Sequence, residues 1–208
     1  MIFSLFQKGG PLMYLILAGS VLAITVFLER MIHYHRAQID TDKFLVGLRN
    51  VLKKRNIVEA VTICAETPGP VASILKSGIL KHGKSREIIK EAIEDASTHE
   101  IPRLEKNLII LATIAHITPL LGLLGTVLGM IKAFMVIQQK AGLVNPADLA
   151  QGIWEALITT AFGLSIAIPA YMAYNYLVSR VRTFISDMER AASEIVNILD
   201  EQEENYEI

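Results

Sequence analysis

Residues 108–137 read LIILATIAHITPLLGLLGTVLGMIKAFMVI. Only His116 and Lys132 interrupt the apolar run, which exceeds the roughly 20 residues that span a ~30 Å hydrocarbon core. Within it Gly122, Thr126, Gly129 and Ala133 recur at steps of four, three and four. On a helix these positions make one face that is small from end to end. Gly125 lies beside that face and forms a Gly-xxx-Gly pair with Gly129. In lipid, helices gain little by hiding apolar surface from each other. Small residues let backbones approach, so such a face is a helix–helix contact or a pore lining.

Two further runs flank this one. Gly9 to Leu28 is apolar and uncharged, and is followed by Glu29 and Arg30. Only Lys8 precedes it, no small-residue cleavage site follows, and the positive charges come after it, so it reads as a span rather than a signal peptide. Gly152 to Val178 is the third run, with Glu155 its only charge. Its small face is Ala156, Thr160, Gly163, Ala167 and Ala170. Asn145-Pro-Ala-Asp148 is a helix start, with Asn145 as cap, Pro146 at the first position and Asp148 in the first turn. The second and third spans run antiparallel. Counted from their outer ends at about 1.5 Å per residue, Thr126 and Thr160 lie at depths that agree to roughly 5 Å, so the two hydroxyls can face each other. Pro119 and Pro169 are expected to bend their helices.

The chain is 52% hydrophobic and 20% charged, and the charge is segregated. Residues 29–107 hold 14 of the 20 lysines and arginines, and Arg180, Arg182 and Arg190 follow the third span. The positive-inside rule then gives a layout. Residues 1–8 are a periplasmic segment, 9–28 the first span and 29–107 a cytoplasmic helical domain. Residues 108–137 are the second span, 138–151 a periplasmic loop and helix start, 152–178 the third span, and 179–208 a cytoplasmic helix with an acidic tail. The expected fold class is an all-α membrane protein: three transmembrane helices per chain with long cytoplasmic helical extensions.

The cytoplasmic part shows helical periodicity. Phe44, Leu45, Leu48, Val51 and Leu52 form one stripe, Ile57, Val61 and Cys64 a second, and Val71, Ile74, Leu75, Ile79 and Leu80 a third after the turn Thr67-Pro-Gly-Pro70. Ser85 is a candidate cap for the next helix. Cys64, the single cysteine, reads as a small buried hydrophobe. After the third span, Leu177, Val181, Phe184, Met188, Ala191, Ile195 and Ile198 alternate steps of four and three. That is a coiled-coil seam, or equally a stripe that covers the other cytoplasmic helices. No metal spacing, phosphate loop or nucleophile motif appears, so no enzyme site, cofactor or nucleic-acid contact is expected. His33 and His35 resemble a metal pair but stand just past a membrane end among positive charges, so no metal site is expected.

The deep membrane holds no carboxylate, Glu155 being the nearest, toward the outer end. Threonine and serine hydroxyls can hydrogen-bond water or an ion but cannot store a proton at neutral pH. If the chain conducts protons, the titrating group comes from another chain. Three helices also cannot enclose a pore alone, so a ring of copies around a partner is expected.

The segments Leu111-Ala-Thr-Ile, Thr118-Pro-Leu-Leu-Gly-Leu-Leu-Gly-Thr-Val-Leu-Gly129, Gly152-Ile-Trp-Glu-Ala-Leu-Ile-Thr-Thr-Ala-Phe-Gly163 and Ala167-Ile-Pro-Ala170 with Tyr174-Asn175 resemble the ExbB/TolQ/MotA family. Gly9-Gly10-Pro11 through Glu29-Arg30 is similar to the first span of ExbB-like members, so the resemblance covers nearly the full length. It implies a homo-oligomer, a pentamer, in the bacterial inner membrane around a dimer of an ExbD/TolR-like single-span partner whose intramembrane aspartate carries the proton. It further implies that rotation passes work to a TonB/TolA-like transducer. By motif match, Thr126 and Thr160 line the proton path and Glu155 is the family's glutamate. Gly122, Gly125, Gly129, Ala156, Gly163 and Ala167 are the packing faces.

Blander roles stand beside these. Thr126 and Thr160 can bond back to their own helices, and Glu155 can be a first-turn carboxylate on the helix dipole. His116 is expected to bond within the bundle and Lys132 to snorkel outward. Trp154 and Tyr14 read as interface anchors. Three functions compete: the proton-driven motor subunit of ExbB or TolQ type, a flagellar-type stator, which calls for a longer chain with four spans, and a non-conducting scaffold.

Overall fold

The computed structural model describes residues 9–140, 143 and 145–204. The expected outer segment 1–8, part of the 138–151 connection and the last residues of the acidic tail lie outside the described residues. The chain folds as α1 (Leu12–Ala37), α2 (Thr41–Lys53), α3 (Ile57–Glu66), α4 (Pro70–Ile79), α5 (Arg86–Glu105), α6 (Leu108–Gln139) and α7 (Pro146–Glu204). No strand occurs among the described residues. Three helices are long and apolar enough to cross a membrane. The chain divides into two compact units: Met1–Glu29 with Asn107–Leu177, and Arg30–Lys106 with Val178–Ile208.

The first unit is the membrane part. Its helices turn Leu120, Leu123, Phe134, Leu157 and Met172 outward, all exposed in the single chain. In water such a surface would be untenable; in a bilayer it is the surface lipid or neighbouring helices cover. Along the α6–α7 crossing the buried residues are mostly small, Thr118, Gly122, Gly125, Gly129 and Ala133 from α6, and Ala156, Thr159, Ala167 and Ala170 from α7, while Met13, Ile16 and Leu111 supply large buried side chains elsewhere in the unit. Pro119 and Pro169 lie inside α6 and α7, and neither ends its helix. Asn107 precedes α6 in the left-handed region at φ 64° and donates through Nδ2 to Glu29 Oε2 at 2.9 Å.

The second unit is held by the predicted stripes. Leu45, Leu48, Leu52, Cys64, Val71, Ile74, Leu75 and Ile79 are buried. Leu80 departs from the third stripe and is exposed, because α4 ends at Ile79 and a turn carries the chain away. Asp40 and Asn56 cap α2 and α3 by accepting the N–H of Lys43 and Glu59, each at 3.2 Å. Ser85 takes the expected cap position before α5, although its hydroxyl makes no capping bond. Gly69, at φ +112°, makes the turn before Pro70, and a Cβ there would lie 2.4 Å from the Ala37 carbonyl oxygen, so a side chain would not fit.

The seam along α7 resolves in favour of local cover. Val181, Phe184, Met188, Ala191, Ile195 and Ile198 are buried within their own unit. Phe184 packs edge-on against Tyr34, with ring centroids 5.7 Å apart. Polar bonds flank the stripe: Arg49 to Glu194 at 2.8 Å, Arg86 to Asp200 at 2.5 Å and Arg190 to Asp42 at 3.0 Å. These pairs are largely exposed and contribute little beyond register.

Candidate functional site

The site is where α6 meets α7. A Cβ added at Gly129 would lie 2.5 Å from the Gly152 carbonyl oxygen, one at Gly122 3.0 Å from Thr160 Cα, and one at Gly163 2.8 Å from the Thr118 carbonyl oxygen. The pairs Gly129/Gly152, Gly122/Thr160 and Thr118/Gly163 run in opposite senses, so the helices are antiparallel. Only glycine permits backbones this close, which is why the small face recurs at helical spacing.

That approach brings two hydroxyls together. Thr126 Oγ1 and Thr160 Oγ1 are 2.6 Å apart. Thr160 Oγ1 also reaches the Gly122 carbonyl across the helix pair at 2.8 Å, and Thr126 Oγ1 reaches the same carbonyl at 3.3 Å. Each hydroxyl has one proton. The arrangement in which Thr126 donates to Thr160, and Thr160 to Gly122, uses both and leaves each oxygen a free lone pair. Both threonines are only partly buried. They can receive a hydrogen bond from water or an incoming group, but neither titrates near neutral pH. No Asp or Glu appears in either helix between the two threonines and the His116 level.

Glu155 sits one turn toward the Gly152 end of α7, at 9% exposure. Lys132 Nζ lies 2.5 Å from Glu155 Oε1. The expected outward snorkelling of Lys132 is therefore corrected: its ammonium is spent on a carboxylate of α7. A Cβ on Gly10, at φ +70°, would overlap the Glu155 carboxylate, so the start of α1 lies directly against it.

Three other residues take modest roles. His116 Nδ1 lies 2.6 Å from the Ala112 carbonyl, which only an N–H can serve, and its ring meets Tyr171 edge-on at 6.0 Å. That matches bonding within the bundle. Trp154 and Tyr14 are exposed. No group of three metal-ligating side chains occurs among the described residues. At the α7 start Pro146 opens the helix and Asp148 lies in its first turn, as expected. Asp148 Oδ2 accepts the Asn145 N–H at 3.0 Å, while Lys140 Nζ lies 2.5 Å from Asp148 Oδ1. The Lys140 hydrogen bond, then the Asn145 N–H, hold the Asp148 carboxyl below its usual range.

Sequence reasoning missed Thr118 and Thr159. Both are buried and bond back to their own helices, Thr118 to Ile114 at 2.5 Å and Thr159 to Glu155 at 2.8 Å. Their signal was present: Thr159 is adjacent to Thr160, and a Cβ on Gly125 would collide with the Thr159 side chain.

A family model described as the MotA/TolQ/ExbB proton channel family matches residues 66–190. A putative biopolymer transport protein ExbB homolog of Methanothermobacter thermautotrophicus is 30% identical over 190 residues, 90% of this chain and 67% of that protein. A putative biopolymer transport protein ExbB-like 1 of Synechocystis sp. is 33% identical over 181 residues, 84% of this chain and 69% of that protein. A Tol-Pal system protein TolQ of Haemophilus influenzae is 43% identical over 111 residues, 53% of this chain and 48% of that protein.

Proposed function

Because the chain belongs to the MotA/TolQ/ExbB proton channel family, we propose that it is the channel subunit of an ExbB-type inner-membrane complex that uses proton-motive force to drive outer-membrane transport. The observation that carries this reading is the 2.6 Å contact of Thr126 and Thr160 at a glycine-lined helix crossing. Hydroxyls there can solvate a proton in transit and cannot hold it. The proton carrier is then a carboxylate on a second chain, an ExbD/TolR-like single-span protein, and several copies of this chain, five by family resemblance, surround it. The N-terminus faces the periplasm and the C-terminus the cytoplasm, a reading supported by the Lys and Arg distribution. A TonB/TolA-like protein receives the output. The membrane potential supplies about 2.3 kcal/mol per charge per 100 mV, so a few protons per step can drive substantial conformational work.

The decisive experiment is proton flux in liposomes holding this chain with and without its single-span partner. Flux that requires the partner, and disappears when the partner's intramembrane aspartate becomes asparagine, is expected. Flux indifferent to that aspartate would remove the division of labour, and no flux at all would leave a non-conducting scaffold. A TolQ-type role in the Tol-Pal envelope system is the second reading, favoured by 43% identity over about half the chain to the Haemophilus influenzae protein. Deletion separates the two: lost energised uptake with an intact envelope for the first, envelope leakage for the second.

A further inference from the structure

Lys132 is the one ionisable side chain of α6 that reaches a charge on α7, and the geometry that puts it there is built by its neighbours. Ala133 is buried, and a Cβ on Gly152 would lie 3.1 Å from the Ala133 nitrogen. Closing the helices at that level fixes the backbone of Lys132 opposite the turn that carries Glu155. The two side chains divide the burial unequally: 52% exposed for Lys132 and 12% for Glu155. The carboxylate is thus enclosed between Gly10, Lys132 and its own helix, while the lysine, half exposed, meets it from α6. A charge enclosed in a membrane span without a partner is unfavourable, and paired residues there mark functional pathways.

We propose that Lys132 is a positioning residue for Glu155, holding the carboxylate against Gly10 at the Gly152 end of the hydroxyl contact and balancing its charge, so that the pair meets an incoming partner helix as one neutral unit. The inference deepens the proton-path reading and rests on it for its consequence, but not for its geometry. A lone Glu155 would leave an unmatched negative charge enclosed beside the hydroxyls. The pair balances that charge while keeping the oxygens in place.

The test uses the full chain co-purified with its single-span partner, as wild type and as Lys132→Met, Lys132→Arg, Glu155→Gln and the double Lys132→Met/Glu155→Gln. Two properties are measured: melting temperature in detergent, and partner-dependent proton flux in liposomes. Lys132→Met is expected to lower flux by about tenfold, the loss of one interaction that matters in transit, and Lys132→Arg to recover most of it. Each neutral single variant should melt several degrees below wild type, and the double should return most of the way, because it leaves no unmatched charge. Wild-type flux in Lys132→Met, equal damage in Lys132→Arg and Lys132→Met, or melting shifts that simply add in the double variant would each overturn the pairing. If wild type itself shows no partner-dependent flux, the proposed function fails, and the melting cycle still decides the pairing on its own.

Discussion

Gly129 and Gly152 stand backbone against backbone: a Cβ on Gly129 would lie 2.5 Å from the Gly152 carbonyl oxygen, and one on Gly152 2.7 Å from that of Gly129. Neither oxygen can step aside without breaking its own helix. Alanine at either position should therefore separate α6 from α7, at about 1–3 kcal/mol for overpacking. That exceeds the ~1 kcal/mol gained from better helix propensity. Gly47 gives the control. It is exposed within α2 and nothing lies within 4 Å of its Cβ position. Gly47→Ala should raise stability by about 0.5–1 kcal/mol. Thermal unfolding in one detergent should show the two substitutions moving in opposite directions. A Gly129→Ala protein as stable as wild type would mean the helices do not approach as described.

Thr126 and Thr160 are not equivalent, and their variants should differ accordingly. Thr160 holds the Gly122 carbonyl across the helix pair at 2.8 Å, whereas Thr126 reaches its own-helix carbonyl at 3.3 Å. Thr160→Val removes both interhelical bonds, to Gly122 and to Thr126, each worth in membranes about 0.6 kcal/mol on average and up to ~1.7. Thr126→Val removes only the one to Thr160. Melting should fall further for Thr160→Val than for Thr126→Val. Partner-dependent flux should collapse in both, since either change breaks the hydroxyl pair. Normal flux in Thr126→Val, with only Thr160→Val impaired, would assign the contact to packing alone.

The spans and their small faces were legible because glycine and alanine at steps of three and four stand out against leucine and isoleucine. The closeness in depth of Thr126 and Thr160 followed from rise per residue alone. The Lys132–Glu155 pair was not legible. It depends on the offset between two helices, and depth counted from span ends carries an error of about one turn, enough to move a lysine past its carboxylate. The α7 stripe was ambiguous for a different reason: an apolar row at steps of four and three fits a second copy or the chain's own helices equally well, and only the position of Tyr34 decides.

Phe184 tests that decision. It is 5% exposed and packs edge-on against Tyr34, whose hydroxyl donates to the Leu104 carbonyl at 2.6 Å. Phe184→Ala should leave a cavity beside that ring and lower stability by about 3–5 kcal/mol. Because the packing is within one chain, the loss measured by chemical unfolding should be the same at low and high protein concentration. A loss that vanishes on dilution would instead make the stripe a contact between copies.

Cys64 reports on the same unit through its chemistry. Its side chain is 3% exposed, and burial, only partly opposed by Lys76, pushes its thiol up from 9.0 to about 11. A raised value means the folded state favours the protonated thiol. The contribution to stability is therefore complete below pH 9.0, and is lost as pH rises from there toward about 11. Alkylation needs the thiolate and access to it, and the folded protein withholds both. At pH 7.5 a maleimide should modify the detergent-solubilised chain slowly, with mass spectrometry showing full labelling only once denaturant unfolds the helices around α3 and α4. Rapid stoichiometric labelling of the folded protein would show that this core opens far more readily than its packing implies.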